Sequence, residues 1–394
     1  MKILHIVNYF QPKLGYQETF LAKKHRDFGH EVHVITSNRY FPFPNYDNLI
    51  KPVLGSRYLK AGNFVEENIV TYRLEVLFEI KKRVWLIGLE KKIRELKPDI
   101  IFLHGVSNIN AIRVGFLKKR NSKQFKLIYD DHMLYVVSKH KLRKLFYLIF
   151  KLFFSKLLIQ SADGFIACNN GTKKFMNDCY GIPLDLIVTI PLGADKDLFR
   201  FNEKSRDLIR NKLGVEKQSV IFIYAGKITP KKGPDLLVKA GLELTRKYKN
   251  FKILLLGDSS SEYIKFLKKL IREKKGEEFF IWLPTIYNKE LPKYYSSADI
   301  GVWPRESSLT MLEAQACNLP IIVSDSVIAG ASDRILNNNG LTFKDGDYLD
   351  LAKKMESLIL DKELRIKMGK RGRKLVEEKF NWGIIAKQFI DLAS

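Results

Sequence analysis

The feature that most constrains this chain is a regular alternation of two kinds of segment. Short β-branched runs, "KILHIV", "EVHVIT", "DIIFL", "KLIYD" and "GFIAC", punctuate its first half, and "SVIFIYA", "KILLLG", "FFIWL", "DIGVW" and "PIIVS" its second. Between them lie stretches of helical periodicity, among them 17–29, 80–96, 234–247, 262–275 and 351–379. Strands that alternate with helices pair in parallel through right-handed crossovers, so the fold class is α/β. Two series, one in each half, predict two Rossmann-like domains, and 394 residues exceed what one ordinary core covers. The seam falls at "VTIPLGADKDLFRF", 188–201, where Pro191 and Gly193 follow the last strand of the first series. In open α/β sheets ligands bind beyond the carboxyl ends of the strands. Two parallel sheets facing a central cleft are therefore expected, with the site in that cleft.

Composition narrows the classes. Hydrophobic residues make up 46% of the chain and charged residues 28%, which is globular and not disordered. Cys168, Cys179 and Cys317 are scattered without metal-ligand spacing, which suits a reduced, cytoplasmic compartment. The opening "MKILHIVNYFQPK" reads as a first strand, not as a secretion signal, because no small-residue cleavage site follows. No uncharged run approaches the roughly 20 residues of a membrane-spanning helix. The net charge of +25 suggests a polyanionic partner: nucleic acid, an anionic membrane, or phosphorylated substrates. Nucleic-acid modules such as an RRM or zinc fingers are missing from the sequence, so no nucleic-acid partner is expected.

Five stretches carry side chains suited to chemistry. "PRESSLTMLEAQACNLP", 304–320, brings Glu306, Ser308, Leu309, Thr310 and Glu313 to the junction of a strand and an apolar helix. Two readings stand here. Thr310 through Glu313 fits a capping box, in which Glu313 reaches back to the first helical N–H groups. Alternatively, a helix N-terminus beside hydroxyls and carboxylates receives a phosphorylated, sugar-bearing ligand. "SVIFIYAGKITPKKGPDL", 219–236, ends a strand in a glycine loop edged by Lys227, Lys231 and Lys232 before Pro234 opens a helix. That suits a pyrophosphate or a solvated lysine turn, and it lacks the spacing of a Walker loop. After the first strand, Gly15 leads into a helix whose first turn carries Gln17 and Glu18. "KLIYDDHMLY" ends a strand with Asp130, Asp131 and His132, and "DIIFLHG" ends its neighbour with His104. A histidine at a strand's carboxyl end points toward a cleft, although for either alone a structural role is at least as good a reading.

Taken in order, these stretches resemble one family, glycosyltransferase family 4 of the group 1 type, almost end to end. "GHEV", "IPLGADKDLF", "GKITPKKG", "SADIGVWP", "LEAQACNLPIIVSD" and "NNNGLTFKDGD" follow in the order in which the family carries its motifs. The resemblance implies a GT-B fold: an N-terminal domain at 1–190, a nucleotide-sugar domain at 191–380, and a last helix at about 381–394 packed back on the first domain. It implies a retaining enzyme that needs no metal or other cofactor and takes a nucleoside-diphosphate sugar as co-substrate. The acceptor would be a glycan or lipid-linked sugar, in cell-surface polysaccharide or glycolipid synthesis. Within the family's E-x7-E signature, Glu313 falls on the second glutamate, which holds the donor ribose. The first position falls on Arg305, and Glu306 leaves only six intervening residues. The resemblance makes His132 and Glu306 the catalytic candidates, with Gly15, Lys227, Lys232, Ser308, Leu309, Thr310 and Glu313 on the donor. A sugar-nucleotide epimerase of the same architecture is the alternative, followed by a basic nucleic-acid-binding protein.

A last stretch bears on location. "KHKLRKLFYLIFKLFFSKLLIQ", 139–160, has six basic and no acidic residues. On a helical wheel Lys141, Lys144, Lys151 and Lys156 share one arc, opposite Phe146, Ile149, Phe150, Phe153 and Leu157. An interfacial helix on the anionic inner face of the membrane fits this pattern. So does a domain helix whose apolar face packs on the sheet.

Overall fold

The computed structural model describes residues 1–393 apart from 44–45, 121–123, 134–140, 258–260 and 327–333. The chain divides into two compact units. The first comprises Met1–Phe43, Leu54–Leu192 and Trp382–Ser394; the second comprises Gly193–Asn381, with residues 46–53 grouped to it.

The strands of the first unit are β1 (Lys2–Ile6), β2 (Glu31–Ser37), β3 (Gly62–Glu66), β4 (Ile69–Leu74), β5 (Val76–Ile80), β6 (Arg83–Leu86), β7 (Ile100–His104), β8 (Lys126–Asp131), β9 (Gly164–Ala167) and β10 (Ile187–Thr189). Eight of them form one sheet in the order β10-β9-β8-β7-β1-β2-β4-β3, parallel except for β3 at the edge. Register fixes what meets at the strand ends. His104 lies opposite Asp130 across β7 and β8, and His5 lies opposite Phe102 across β1 and β7. Because side chains alternate along a strand, His5, Phe102, His104 and Asp130 share one face of the sheet. The helices Gln17–Asp27 and Trp382–Ala393 pack together and cover this part of the unit. Trp382 stacks on Phe20 with ring centroids 5.4 Å apart, and Phe389 meets Phe102 edge-on at 5.5 Å.

In the second unit, β11 (Val220–Ala225), β12 (Phe251–Leu256), β13 (Phe280–Leu283), β14 (Ile300–Trp303), β15 (Ile321–Ser324) and β16 (Gly340–Phe343) form one parallel sheet in the order β13-β12-β11-β14-β15-β16. Asp299, one residue before β14, accepts hydrogen bonds from Arg206 at 2.7 Å, Arg210 at 2.6 Å and the Ile221 N–H at 2.8 Å. Arg210 is buried, so this pairing is what makes its charge tolerable there.

All ten runs named from the sequence form strands. Two helical expectations need correction. At 80–96 only Leu89–Leu96 is helical, because β5 and β6 make an antiparallel hairpin through Lys81 and Lys82, both at positive φ. At 351–379 the helix is two helices, broken at Asp361, whose carboxylate accepts from the Leu364 N–H and caps the second.

Candidate functional site

Each unit carries its own cluster at the carboxyl ends of its strands. In the second unit β11 runs out at Ala225, and a short turn, Pro230–Lys232, leads through Gly233 into the helix Pro234–Leu244. Gly233 adopts φ +71°, and a Cβ there would lie 2.8 Å from Arg305 Cγ, so glycine is required twice over. Arg305 lies across this turn, donating from a guanidinium N–H to Pro230 O at 3.1 Å. Lys232 Nζ donates to Ser307 O at 3.0 Å and pairs with Glu306 Oε2 at 3.3 Å. Burial lowers the pKa of this ammonium, and the neighbouring Glu306 carboxylate works the other way. Lys227 is exposed, with its carbonyl accepting from Tyr224 Oη at 2.7 Å.

The helix Leu309–Ala316 starts at Ser308, and no side chain caps it. In the first turn the Met311 N–H turns back to Ser308 O at 3.2 Å, and no side chain answers the N–H groups before it. Thr310 Oγ1 lies 2.8 Å from both Ala225 O and Ser308 Oγ, and Trp303 Nε1 donates to Ala225 O and Thr310 Oγ1 at 3.0 Å each. These contacts tie the helix start to the end of β11. The strand ends are themselves crowded: a Cβ at Gly257 would lie 1.9 Å from Gly226 O.

Glu313 corrects the capping-box expectation. With Ser308 as N-cap, the third helical position is Met311, and Glu313 lies two residues further on, buried at 4% exposure. It accepts instead from Asn288 Nδ2 at 3.2 Å and Tyr295 Oη at 3.3 Å. Desolvation pushes its carboxyl up to about 7 against these two hydrogen bonds. Sequence reasoning missed Asn288 and Tyr295, because no local pattern links them to a residue 18 or 25 positions away.

In the first unit, Gly15 ends the turn Pro12–Leu14 at φ +68° and precedes the helix in which Gln17 donates to Asp130 Oδ2 at 2.8 Å. Asp130 is buried between two imidazoles. His104 Nδ1 lies 2.8 Å from its Oδ1, and His132 Nε2 lies 3.2 Å from its Oδ2. Burial alone would raise the Asp130 pKa, but the facing His104, then His132, hold it well below the usual carboxylate range. His132 keeps 38% of its side chain exposed. Desolvation opposes its charge, and the Asp130 carboxylate outweighs that and raises its pKa well above the ordinary histidine value. Asp131 plays a different part: it accepts from the Met133 and Val106 N–H groups and from Tyr180 Oη, fixing the strand-end loop. Among the described residues, no group of three or more His, Cys, Asp or Glu is placed to hold a metal ion.

This geometry can be set beside known proteins. The family model for glycosyl transferases group 1 matches residues 205–375, and that for Glycosyltransferase Family 4 matches residues 19–198. The chain belongs to the group 1 glycosyltransferases of family 4. A D-inositol 3-phosphate glycosyltransferase of Kineococcus radiotolerans is 26% identical over 60% of this chain and 58% of its own length. The chain thus spans little more than half of that relative. An alpha-monoglucosyldiacylglycerol synthase of Acholeplasma laidlawii is 27% identical over 82% of this family member and 78% of its own length. Among solved structures, sucrose-phosphate synthase from Thermosynechococcus elongatus superposes with a TM-score of 0.74 at 19% identity, covering 99% of this chain and 98% of that one. Anabaena HepE in complex with UDP and glucose gives 0.72 at 18%, with the same coverage. The fold of this family member is GT-B, and these relatives do not favour the epimerase alternative.

Proposed function

We propose that the chain transfers a glycosyl group, with retention and without a metal, from a nucleoside-diphosphate sugar to a glycan or lipid-linked acceptor. The observation that carries this is the Lys232 ammonium, held between Glu306 and Ser307 O beside the uncapped start of Leu309–Ala316. A cation and a helix N-terminus brought together suit the diphosphate leaving group, whose charge builds during transfer. Glu313 would orient the ribose, while Gly15, Lys227, Ser308 and Thr310 complete the donor contacts. His132 would hydrogen-bond the transferred sugar. HepE was solved with UDP and glucose, and the Acholeplasma relative is named for a glucosyl lipid, which supports donors and acceptors of these classes. A thermal-shift screen with UDP, GDP and ADP sugars tests the donor: a ligand at 100 times its Kd adds about 2.7 kcal/mol of stability. No shift with any nucleotide sugar would count against the reading.

Glu306 fills the first place of the glutamate pair, since it points to Lys232 while Arg305 is spent on the turn. Glu306→Gln is expected to cut turnover about tenfold or more, the low end for a lost hydrogen bond to a charged group, with little change in nucleoside-diphosphate affinity. Unchanged turnover would remove Glu306 from the site.

The acceptor would be met at an anionic membrane, in the cytoplasm on the inner face. The helix Lys141–Ser161 buries Tyr147, Phe150, Leu157 and Leu158 against the first unit. Of the apolar arc, Phe150 and Leu157 thus pack inward, as the domain-helix reading has it, while Ile149 and Phe153 stay exposed. Leu145, Leu148, Ile149, Leu152 and Phe153 form a second apolar face at i, i+3, i+4, i+7 and i+8; Leu152 is 70% and Phe153 72% exposed. Lys144, Lys151 and Lys156 are exposed as well. Lys139 lies outside the described residues, as do the side chains of Lys141 and Arg143. The hairpin β5–β6 adjoins this helix, with the Arg83 guanidinium 4.5 Å over the Phe146 ring, and it exposes Leu77, Ile80, Lys81 and Lys82. Apolar side chains inside a basic rim match an anionic bilayer, where each lysine is worth about 1 kcal/mol. No described helix is long and apolar enough to cross a membrane. The protein is expected to sediment with anionic but not neutral vesicles, and Leu152→Asp/Phe153→Asp to release it. Negligible pelleting with both vesicle types would overturn the membrane reading and leave the transferase reading standing.

A further inference from the structure

Behind His132 runs a line of imidazoles that transfer itself does not call for. His25 Nε2 lies 3.0 Å from Ala386 O, His25 Nδ1 lies 3.1 Å from His5 Nε2, and His5 Nδ1 lies 2.9 Å from His104 Nε2. His104 Nδ1 then meets Asp130 Oδ1 at 2.8 Å, and Asp130 Oδ2 meets His132 Nε2 at 3.2 Å. His5 and His25 are fully buried, and His104 nearly so.

The direction of this line follows from its far end. A carbonyl oxygen only accepts, so His25 Nε2 carries a proton. Burial, aided by neighbouring imidazoles, lowers the pKa of His5 and His25 and keeps both rings neutral. A neutral imidazole has one donor and one acceptor nitrogen. His25 Nδ1 therefore accepts from His5 Nε2–H, and His5 Nδ1 accepts from His104 Nε2–H. His104 has then used its one neutral-state proton away from Asp130. A bare nitrogen and a carboxylate oxygen 2.8 Å apart would repel, so this contact needs a second proton, and with Asp130 already accepting from Gln17 that proton belongs to His104. The two atoms lie within ion-pair distance, off the line of a good hydrogen bond.

We propose that Ala386 O, His25, His5 and His104 form one chain of fixed direction, which makes His104 an imidazolium, keeps Asp130 ionised, and turns the Nε2–H of His132 toward it. His5, His25 and His104 are thus positioning residues. Their effect on transfer rests on the role given above to His132; the chain itself does not. The other titratable groups facing it are Glu18 beside Asp130 and His104, His30 beside His25, and Cys168 beside His132.

The test uses the full chain labelled with 15N-histidine, without ligand, at pH 8. Both His104 nitrogens are expected to be protonated, with His5 and His25 as neutral Nε2–H tautomers. His25→Gln preserves the direction, since its amide N–H donates to Ala386 O and its amide oxygen accepts from His5; the His104 signature is expected to persist. His25→Leu frees His5 to reverse, so that a neutral His104 can donate Nδ1–H to Asp130; loss of the imidazolium signature is expected. If His25→Leu does not fold, His5→Leu supplies the same break. A neutral His104 in the unsubstituted protein, or one unaltered by either break, overturns the chain. A break that changes the spectrum is also expected to lower kcat at constant donor KM. An unaltered kcat would overturn the link to His132 while the chain stands.

Discussion

Lys232→Ala is expected to lower kcat/KM on the order of 10²-fold, the scale for losing one preorganised donor to a transition state. The expectation rests on what holds Lys232 in place. Its ammonium is half enclosed, bonded to Ser307 O and paired with Glu306, so little reorganisation remains at the moment of reaction. Truncation also strands the Glu306 carboxylate beside a diphosphate, which adds repulsion to the lost attraction. Lys231, its exposed neighbour, is the control: Lys231→Ala should stay close to the parent. Steady-state kinetics with the nucleotide sugar found by thermal shift make the comparison. Parent-like kinetics in a folded Lys232→Ala would place the ammonium outside the site.

Glu313 carries the second large effect, and it is visible in pH as well as in affinity. Its carboxyl is raised to about 7 in the folded chain from an ordinary 4.5. Between those values the folded state keeps a proton that the unfolded state releases, so stability falls as pH rises through the interval and levels off above about 7.5. The difference corresponds to about 3 kcal/mol at 1.36 kcal/mol per unit. Glu313→Gln should remove this slope, and comparing the two proteins cancels the opposite trend from His5 and His25. If Glu313 accepts hydrogen bonds from a ribose, the ionised form binds better. Nucleoside-diphosphate affinity should then rise with pH across 7 in the parent and stay flat, and weaker, in Glu313→Gln. Denaturation curves and calorimetric titrations at pH 5, 6, 7 and 8 read both effects. A parallel pH dependence in parent and variant would mean that Glu313 is not the titrating group.

How much of this was legible in the sequence depends on distance along the chain. The α/β alternation is local and strong, and every named run became a strand. The second unit's site is also local: Gly226 to Pro234 and 304 to 313 are two contiguous stretches joined by one sheet neighbour, β14 beside β11. The role of Glu313 was not settled by local pattern, because the choice between capping and burial turns on where the helix begins. A start at Ser308 puts Met311, and not Glu313, in the place a capping carboxylate would need. The hairpin at 76–86 was hidden for a related reason: "EIKKRVWLIGLEKK" carries apolar residues at spacings compatible with either period until Lys81 and Lys82 turn the chain. The helix Lys141–Ser161 is apolar on nearly all sides, so a wheel could not say which face the sheet would claim. His5 and His25 sit in ordinary strand and helix patterns, and only the register of three strands and two helices brings them into line.

The helix Trp382–Ala393 has a consequence for how the chain is made. The first unit is translated almost entirely by Leu192, yet the surface that receives Phe389 and Trp382 stays open until another 190 or so residues have followed. At typical synthesis rates of 5–20 residues per second, that wait is roughly 10–40 s. During it, Phe20, Phe102 and the unanswered N–H of His25 face solvent or chaperone instead of protein. A ribosome that stalls within the second unit therefore leaves behind a first unit with an exposed aromatic face, a form open to proteolysis even where every strand of its sheet is present. This helix thus acts as a certificate of length, present only on chains that were read through the whole of the second unit.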